Sequence, residues 1–289
     1  MSGFLLSYRG FIADQHQLDL RRFGYALVGL DHLISTGIIG LTEFRFPKGR
    51  ERIDLTIVAE PPREGSVEIV GTLLSAHQAL QPAFPFLLDL LKSKAPDLIW
   101  DWLSAVFKWH GGRKEEAEPH IERLTQVVER LSSDIHKDRQ NEREFILELV
   151  DSVKPNAAKV ARPVGDSSKT LSLPSPITGE ETVIDSAMAA AIRSKEDLKV
   201  SELKEIEVFI DGFTNHSSLG TIAFIEDPEA YHYAKITDPL VNVKGNPYTE
   251  ALHNRSPIKV LARITYKADA VHRVFVLSVL GEEGFHSAA

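Results

Sequence analysis

The sequence predicts an α+β protein of two domains. A small N-terminal α/β layer comes first, then apolar and heptad-bearing helices, then a C-terminal five-stranded OB-like β-barrel, with an SH3-like barrel as the alternative. Three observations carry this. The chain has 289 residues, more than one ordinary domain needs. Strand patterns dominate its two ends, while the middle follows helical spacing. A stretch rich in Pro, Gly and Ser separates the two kinds of pattern. The expected division is an α/β and helical domain over 1–153, a linker over 154–176, and the barrel over 177–289.

Phe4 to Tyr8 reads as a strand, followed by a polar connection from Gly10 to Gln17. Leu18-Asp19 opens a helix, because Leu20, Phe23, Leu27, Leu30 and Ile34 recur at three-four spacing on one face. Gly37 or Gly40 is expected to end it. Ile53 to Ala59 and Ser66 to Leu74 read as a hairpin around Glu60-Pro-Pro-Arg-Glu-Gly65. Pro82 to Gly112 reads as two apolar helices, with Pro85 opening one and Pro96 in the first turn of the next.

Arg113 to Val153 contains no glycine and is rich in Glu, Arg and Lys. Ile121, Leu124, Val128, Leu131 and Ile135 form a heptad seam that Asp138 and Glu142 interrupt and Phe145 and Leu149 resume. Such a helix packs on its own domain or joins a second copy of the chain. Asp185 to Arg193 is a short helix. The barrel strands are Leu203 to Phe213, Leu219 to Glu226, Tyr231 to Ile236, Pro257 to Tyr266 and His272 to Leu280. A helix from Pro247 to His253 falls between the third and fourth, where OB-type barrels carry a plug. Leu252, or Ala251, is expected to fill that end.

Composition excludes more than it assigns. With 43% hydrophobic and 26% charged residues, the chain is of soluble globular type. A net charge of −8 disfavours broad binding of phosphate backbones, so nucleic acid is not an expected partner. There is no cysteine, hence no disulfide, thiolate metal site or cysteine nucleophile. The opening residues turn polar too soon for a secretory signal, and a cytoplasmic location is expected. No P-loop, dinucleotide fingerprint, nucleophile elbow or zinc-hydrolase spacing occurs, so no cofactor is expected.

Two sets of candidate site residues remain. Trp100, Trp102 and Trp109 are the whole tryptophan complement. They lie in the most apolar stretch, and such a cluster marks a core, a subunit interface or a membrane-surface contact. Together with Leu124, Val128 and Leu131 they are the candidate oligomer or membrane interface. In the barrel, Asn215, His216 and Ser218 in the first loop and Lys267 in the last stand where OB barrels bind ligands. Phe224, Tyr231 and Tyr233 supply ring faces on strands two and three, and the two tyrosines share a face by two-residue alternation. Asp14, His16 and Asp19 cluster before the first helix, as caps or as an acid–base group.

Tyr8-Arg-Gly-Phe-Ile-Ala-Asp14-Gln-His16-Gln-Leu-Asp-Leu20, Phe23-Gly24-Tyr-Ala-Leu-Val-Gly29-Leu and Pro61-Pro62-Arg-Glu-Gly65-Ser66 resemble an uncharacterised bacterial two-domain family with no assigned activity. The resemblance implies an α/β domain, an apolar segment and a β-rich domain, and no catalytic residues. The expected function is a non-enzymatic oligomerising scaffold or sensor whose barrel binds a small ligand or protein partner. The alternatives are a membrane-acting effector that uses the Trp-bearing helices and a hydrolase built on Asp14, His16 and Asp19.

Overall fold

The computed structural model describes residues 3–49, 51, 67–72, 85–135, 142–176, 178–214 and 217–280. The chain forms two compact units, Met1–Arg193 and Ser194–Ala289. The fold class is α+β, as the sequence predicts.

In the first unit, β1 (Gly3–Arg9) is paired on one side by β2 (Val67–Thr72) and on the other by β3 (Thr170–Pro174), which continues to β4 (Glu181–Ile184). All three pairings are antiparallel. The expected linker over 154–176 is therefore corrected. It holds α5 (Lys154–Val160) and β3, so the chain returns to its own first strand across more than 150 positions. The division falls after α6 (Ser186–Arg193) instead. Prolines and glycines there shape turns inside a domain: Gly165, for one, has φ 88°. The expected hairpin partner Ile53 to Ala59 lies outside the described residues.

Helix α1 (Leu20–Glu43) is capped by Asp19, whose carboxylate accepts from the Arg22 N–H at 2.8 Å. Its core stripe is Ala26, Leu30, Leu33, Ile34, Ile38 and Leu41. Leu20, expected on that stripe, is 85% exposed. Neither Gly37 nor Gly40 ends the helix. Both are sites of close approach: a Cβ at Gly37 would overlap the Trp102 indole, and one at Gly40 would overlap the Leu149 side chain. By length and composition α1 could cross a membrane, but 61% of its apolar window is buried inside the unit.

Helix α2 (Pro85–His110) runs unbroken through position 96, where a new helix was expected. The long charged helix is two, α3 (Lys114–Ile135) and α4 (Glu142–Ser152). They pack together, and Arg143 on α4 reaches Glu118 near the start of α3 at 2.7 Å. The described first half of the heptad seam is buried in this packing. Ile121, Leu124 and Val128 are at most 1% exposed, and Ile146, Leu149 and Val150 are buried on α4. At the centre, Tyr8 donates its hydroxyl to the Val160 carbonyl at 2.9 Å, tying β1 to α5, and burial raises the phenol pKa.

In the second unit, β6 (Lys204–Thr214), β7 (Leu219–Phe224) and β8 (Asp227–Ile236) form an antiparallel meander. Then α7 (Pro247–Asn254) precedes β9 (Ile258–Lys267) and β10 (Ala270–Val279). β9 pairs β6 and β10, and β10 pairs β8 in parallel, which closes a five-stranded mixed barrel. The parallel closing pair and the helix between the third and fourth barrel strands are the features of an OB-type barrel. A short β5 (Lys199–Val200) adds to β9. Tyr248 and Ala251 of α7 are buried in the barrel core, so of the two expected plug residues Ala251 is placed there, while Leu252 is only partly buried. Tyr248 wins because its ring fills the volume and its hydroxyl finds an acceptor, Asp238, at 2.7 Å.

Two outcomes test this packing. In the first unit, Gly24 faces open space while Gly37 faces an indole. Gly24→Ala should stabilise by about 0.5–1 kcal/mol through helix entropy, and Gly37→Ala should destabilise by about 1–3 kcal/mol through overpacking. Denaturant unfolding followed by tryptophan fluorescence reads both. His110 is the second. It is 9% exposed and its Nε2 lies 2.9 Å from the Val150 carbonyl, and burial lowers its pKa below the ordinary 6.5. The unfolded chain therefore takes up this proton first as pH falls. Stability should decline as pH drops below 6.5, with a slope of up to about 1.4 kcal/mol per pH unit from this group. Urea titrations between about pH 7.5 and 5.5, which bracket the ordinary histidine range, should show a shallower decline in His110→Gln.

Candidate functional site

The strand register of the barrel brings the tyrosines into a set the sequence did not display. Tyr231 stands opposite Ala223 and Tyr233 opposite Thr221, and β6 adds Phe209 and Gly212 to the same two rows. The alternate positions Ile222 and Ala234 face the core. Tyr231 and Tyr233 are 57% and 71% exposed, so neither lines the barrel. On the other side of β8, Ala234 is paired with Val274 of β10. One residue earlier on both parallel strands stand Tyr233 and Arg273, side by side.

Gly212, Phe213, Leu219, Thr221, Tyr233 and Arg273 line a cleft of about 480 Å³, a volume suited to a small molecule. Its shape depends on Gly220, where a Cβ would overlap the Gly212 carbonyl and the Phe213 side chain. The bulge between Ile210 and Gly212 on β6 faces this approach. The Thr221 hydroxyl lies 3.1 Å from Asp211 Oδ2. Arg273 Nε is buried and has no hydrogen-bond partner among the described residues. A buried guanidinium nitrogen without an acceptor is costly. Arg273, Thr221 and the glycine pair were missed in the sequence; their only signal was a place on strands flanking the tyrosines.

The other barrel candidates do not join this cleft. Phe224 tilts against His232 at 5.1 Å and packs on the core. Ser218 holds a left-handed turn, φ 54°, and its carbonyl accepts from Ile236 N–H at 2.8 Å. Lys267 pairs with Glu196 at 2.7 Å. Asn215 and His216 lie outside the described residues.

The expected interface residues are corrected more sharply. Trp100 and Trp102 are 5% and 1% exposed, and their indole N–H groups donate to the carbonyls of Leu173 at 3.1 Å and Leu33 at 2.8 Å. Both the apolar rings and their polar handles are satisfied inside the unit, leaving no surface for a second copy or a bilayer. Trp109 is half-buried, donates to Asp151 at 2.9 Å and takes Lys114 over its ring. Leu124 and Val128 belong to the same core. Leu131 lies on α3, its side chain outside the described residues.

Beside Trp100, α2 and α3 enclose a polar network that sequence spacing did not reveal. His120 is 3% exposed, with Nδ1 at 2.8 Å from Asp101 Oδ1 and Nε2 at 3.1 Å from Lys108 Nζ. Arg123 also donates to Asp101, from Nε and Nη2. Arg123 Nη2 also lies 2.7 Å from His120 Nδ1, so Asp101, His120 and Arg123 form one cluster. Burial lowers the Lys108 pKa. Every charge here has a partner, so the network reads as a satisfied core.

Asp14 and Asp19 serve the backbone. Asp14 accepts from Gly10 N–H at 2.6 Å, and Asp19 caps α1. Among the described residues no three His, Cys, Asp or Glu side chains are placed to hold a metal ion.

A family model described as Domain of unknown function (DUF7946) matches residues 4–193. A second, described as Family of unknown function (DUF7947), matches residues 202–280. No curated protein and no solved structure matches the chain.

The cleft makes a paired prediction. A Cβ at Gly212 meets nothing within 4 Å, whereas one at Gly220 meets backbone. Gly220→Ala should cost the barrel about 1–3 kcal/mol by forced strand displacement, and Gly212→Ala should leave the thermal midpoint within about 1–2 °C, as for a substitution away from any packed feature.

Proposed function

The chain belongs to the family described as Domain of unknown function (DUF7946), and from its geometry we propose that it is a non-enzymatic binding scaffold or sensor. On this reading its barrel holds a small flat ligand that carries an acidic group. One observation supports it above the rest: the exposed Tyr233 ring stands beside Arg273, whose buried Nε has no partner among the described residues, at a cleft of ligand size. A ring stacks on the tyrosine, and a carboxylate or similar acceptor meets the guanidinium. Tyr231 extends the stacking face along the same strand.

Acidic residues Glu226, Asp227 and Glu229 lie at the start of the tyrosine strand and oppose a long nucleic acid strand. Self-association was expected from the Trp segment and the heptad seam. Trp100, Trp102, Leu124 and Val128 are buried within one chain, so this reading draws on no second copy. The membrane-acting alternative relied on the same tryptophans and loses its support with them.

Ligand-observed NMR with a set of aromatic carboxylates tests the reading on the full chain. Binding should weaken at least about tenfold in Tyr233→Ala and in Arg273→Gln, a cost of roughly 1.4 kcal/mol each. The thermal midpoint should stay nearly unchanged for Tyr233→Ala, since that ring is mostly in solvent. Equal binding by wild type and both variants, or no binding by any carboxylate, would sink the proposal.

A further inference from the structure

The N-terminal unit carries a second cleft, of about 840 Å³, whose chemistry differs from that of the barrel. Four arginines line it: Arg21 and Arg22 in the first turn of α1, Arg162 after α5, and Arg193 at the end of α6. Among the described residues two carboxylates accompany them, Asp19 and Asp166. Both are engaged. Asp19 caps the helix through Arg22 N–H, and Asp166 pairs with the Arg22 guanidinium at 3.0 Å. Four guanidinium groups thus converge on one cleft in a chain of net charge −8.

The arrangement runs against helix electrostatics. The start of a helix is its positive end and favours acidic side chains. The first turn of α1 contains no acidic residue and two arginines. Of its leading N–H groups, that of Arg22 is capped by Asp19. The neighbouring arginines are held in place rather than free to splay. The Arg162 guanidinium lies 4.5 Å over the Tyr25 ring, which fixes its plane and leaves its N–H edge for an acceptor. Arg193 Nη1 donates to the carbonyls of Ala161 and Val164 at 2.6 and 3.1 Å. Positive charge gathered at a positive helix end, with fewer carboxylates than guanidinium groups, is unfavourable unless an anion joins it.

We propose that this cleft binds the phosphate group of a small soluble molecule. The planar forks of arginine match phosphate oxygens in pairs, and open N–H groups at a helix start add donors. Arg21 and Arg162 are the residues through which the anion is held, since Arg22 already serves Asp166 and Arg193 already serves backbone carbonyls. The site lies wholly within the first unit and does not depend on the barrel ligand.

Isothermal titration of the full chain with sodium pyrophosphate, at fixed ionic strength and against sodium chloride, tests this. A second arm uses sedimentation with phosphatidylcholine vesicles containing phosphatidylinositol phosphate. Wild type should bind pyrophosphate saturably, and more weakly as salt is raised, because added ions screen the guanidinium charges. Arg21→Gln combined with Arg162→Gln removes two charged forks and should lower affinity at least about tenfold. Arg21 and Arg162 are exposed, so the double variant should keep its thermal midpoint without ligand. Pyrophosphate binding that is equal in wild type and the double variant overturns the proposal. So does the absence of saturable binding. Vesicle binding without pyrophosphate binding also overturns it and assigns the arginines to a lipid surface. An unfolded double variant is replaced by Arg21→Lys, which keeps the charge and removes the fork. Unchanged pyrophosphate affinity in that variant overturns the role given to Arg21.

Discussion

The missing side chain at Gly37 is the constraint on which the N-terminal unit is built. It lets α2 lay the Trp102 indole against the backbone of α1, close enough for its N–H to reach the Leu33 carbonyl. That oxygen belongs to the helix, so the indole adds a second bond to a group already in use. Gly40 repeats the device for Leu149 of α4, and Gly29 does so for Val160 and the backbone carbonyl of Asn156 on α5. One helix thus presents three glycine notches to three neighbours. Large side chains on the partners fill what small ones on α1 leave open, as close packing requires.

This explains why the Trp segment reads as an interface from sequence. Apolar density tells that a surface must be covered but not by what. Here the cover is α1 and β3, and β3 comes from the stretch that composition marked as a linker. The short strand Thr170-Leu-Ser-Leu-Pro174 alternates apolar and polar residues in sequence, but its own Pro174 and its neighbours Pro163, Gly165 and Pro176 masked it. Local rules fared better in the barrel. Its five strands, its turn at Lys267 to Ala270 and its interposed helix follow patterns that repeat within a single turn or pleat and were legible, although β8 starts at Asp227, four residues before the expected Tyr231. Ala268 and Asp269 even take left-handed φ of 46° and 66° in that turn, without a glycine.

The two clefts show the same limit in functional terms. The tyrosine pair was legible because alternation alone places both on one face. Arg273 was not, because its neighbourhood with Tyr233 depends on a parallel pairing between strands about forty positions apart. The arginine cleft was less legible still. Arg21 and Arg22 read as a solvated helix start, and Arg162 and Arg193 come from elements far along the chain. Charge convergence is a tertiary property and leaves no local spacing to count.

The parallel contact between β8 and β10 has a consequence for how the chain becomes a barrel. Every other pairing in the five-stranded ring can form between antiparallel neighbours, but the ring closes only when β10 arrives. During synthesis β8 and β9 therefore both present bare edges, and each edge is a template for another chain. Tyr231 and Tyr233 sit on one of them. The strand that carries the exposed tyrosines in the finished protein is thus one of the two open to intermolecular pairing before the ring closes.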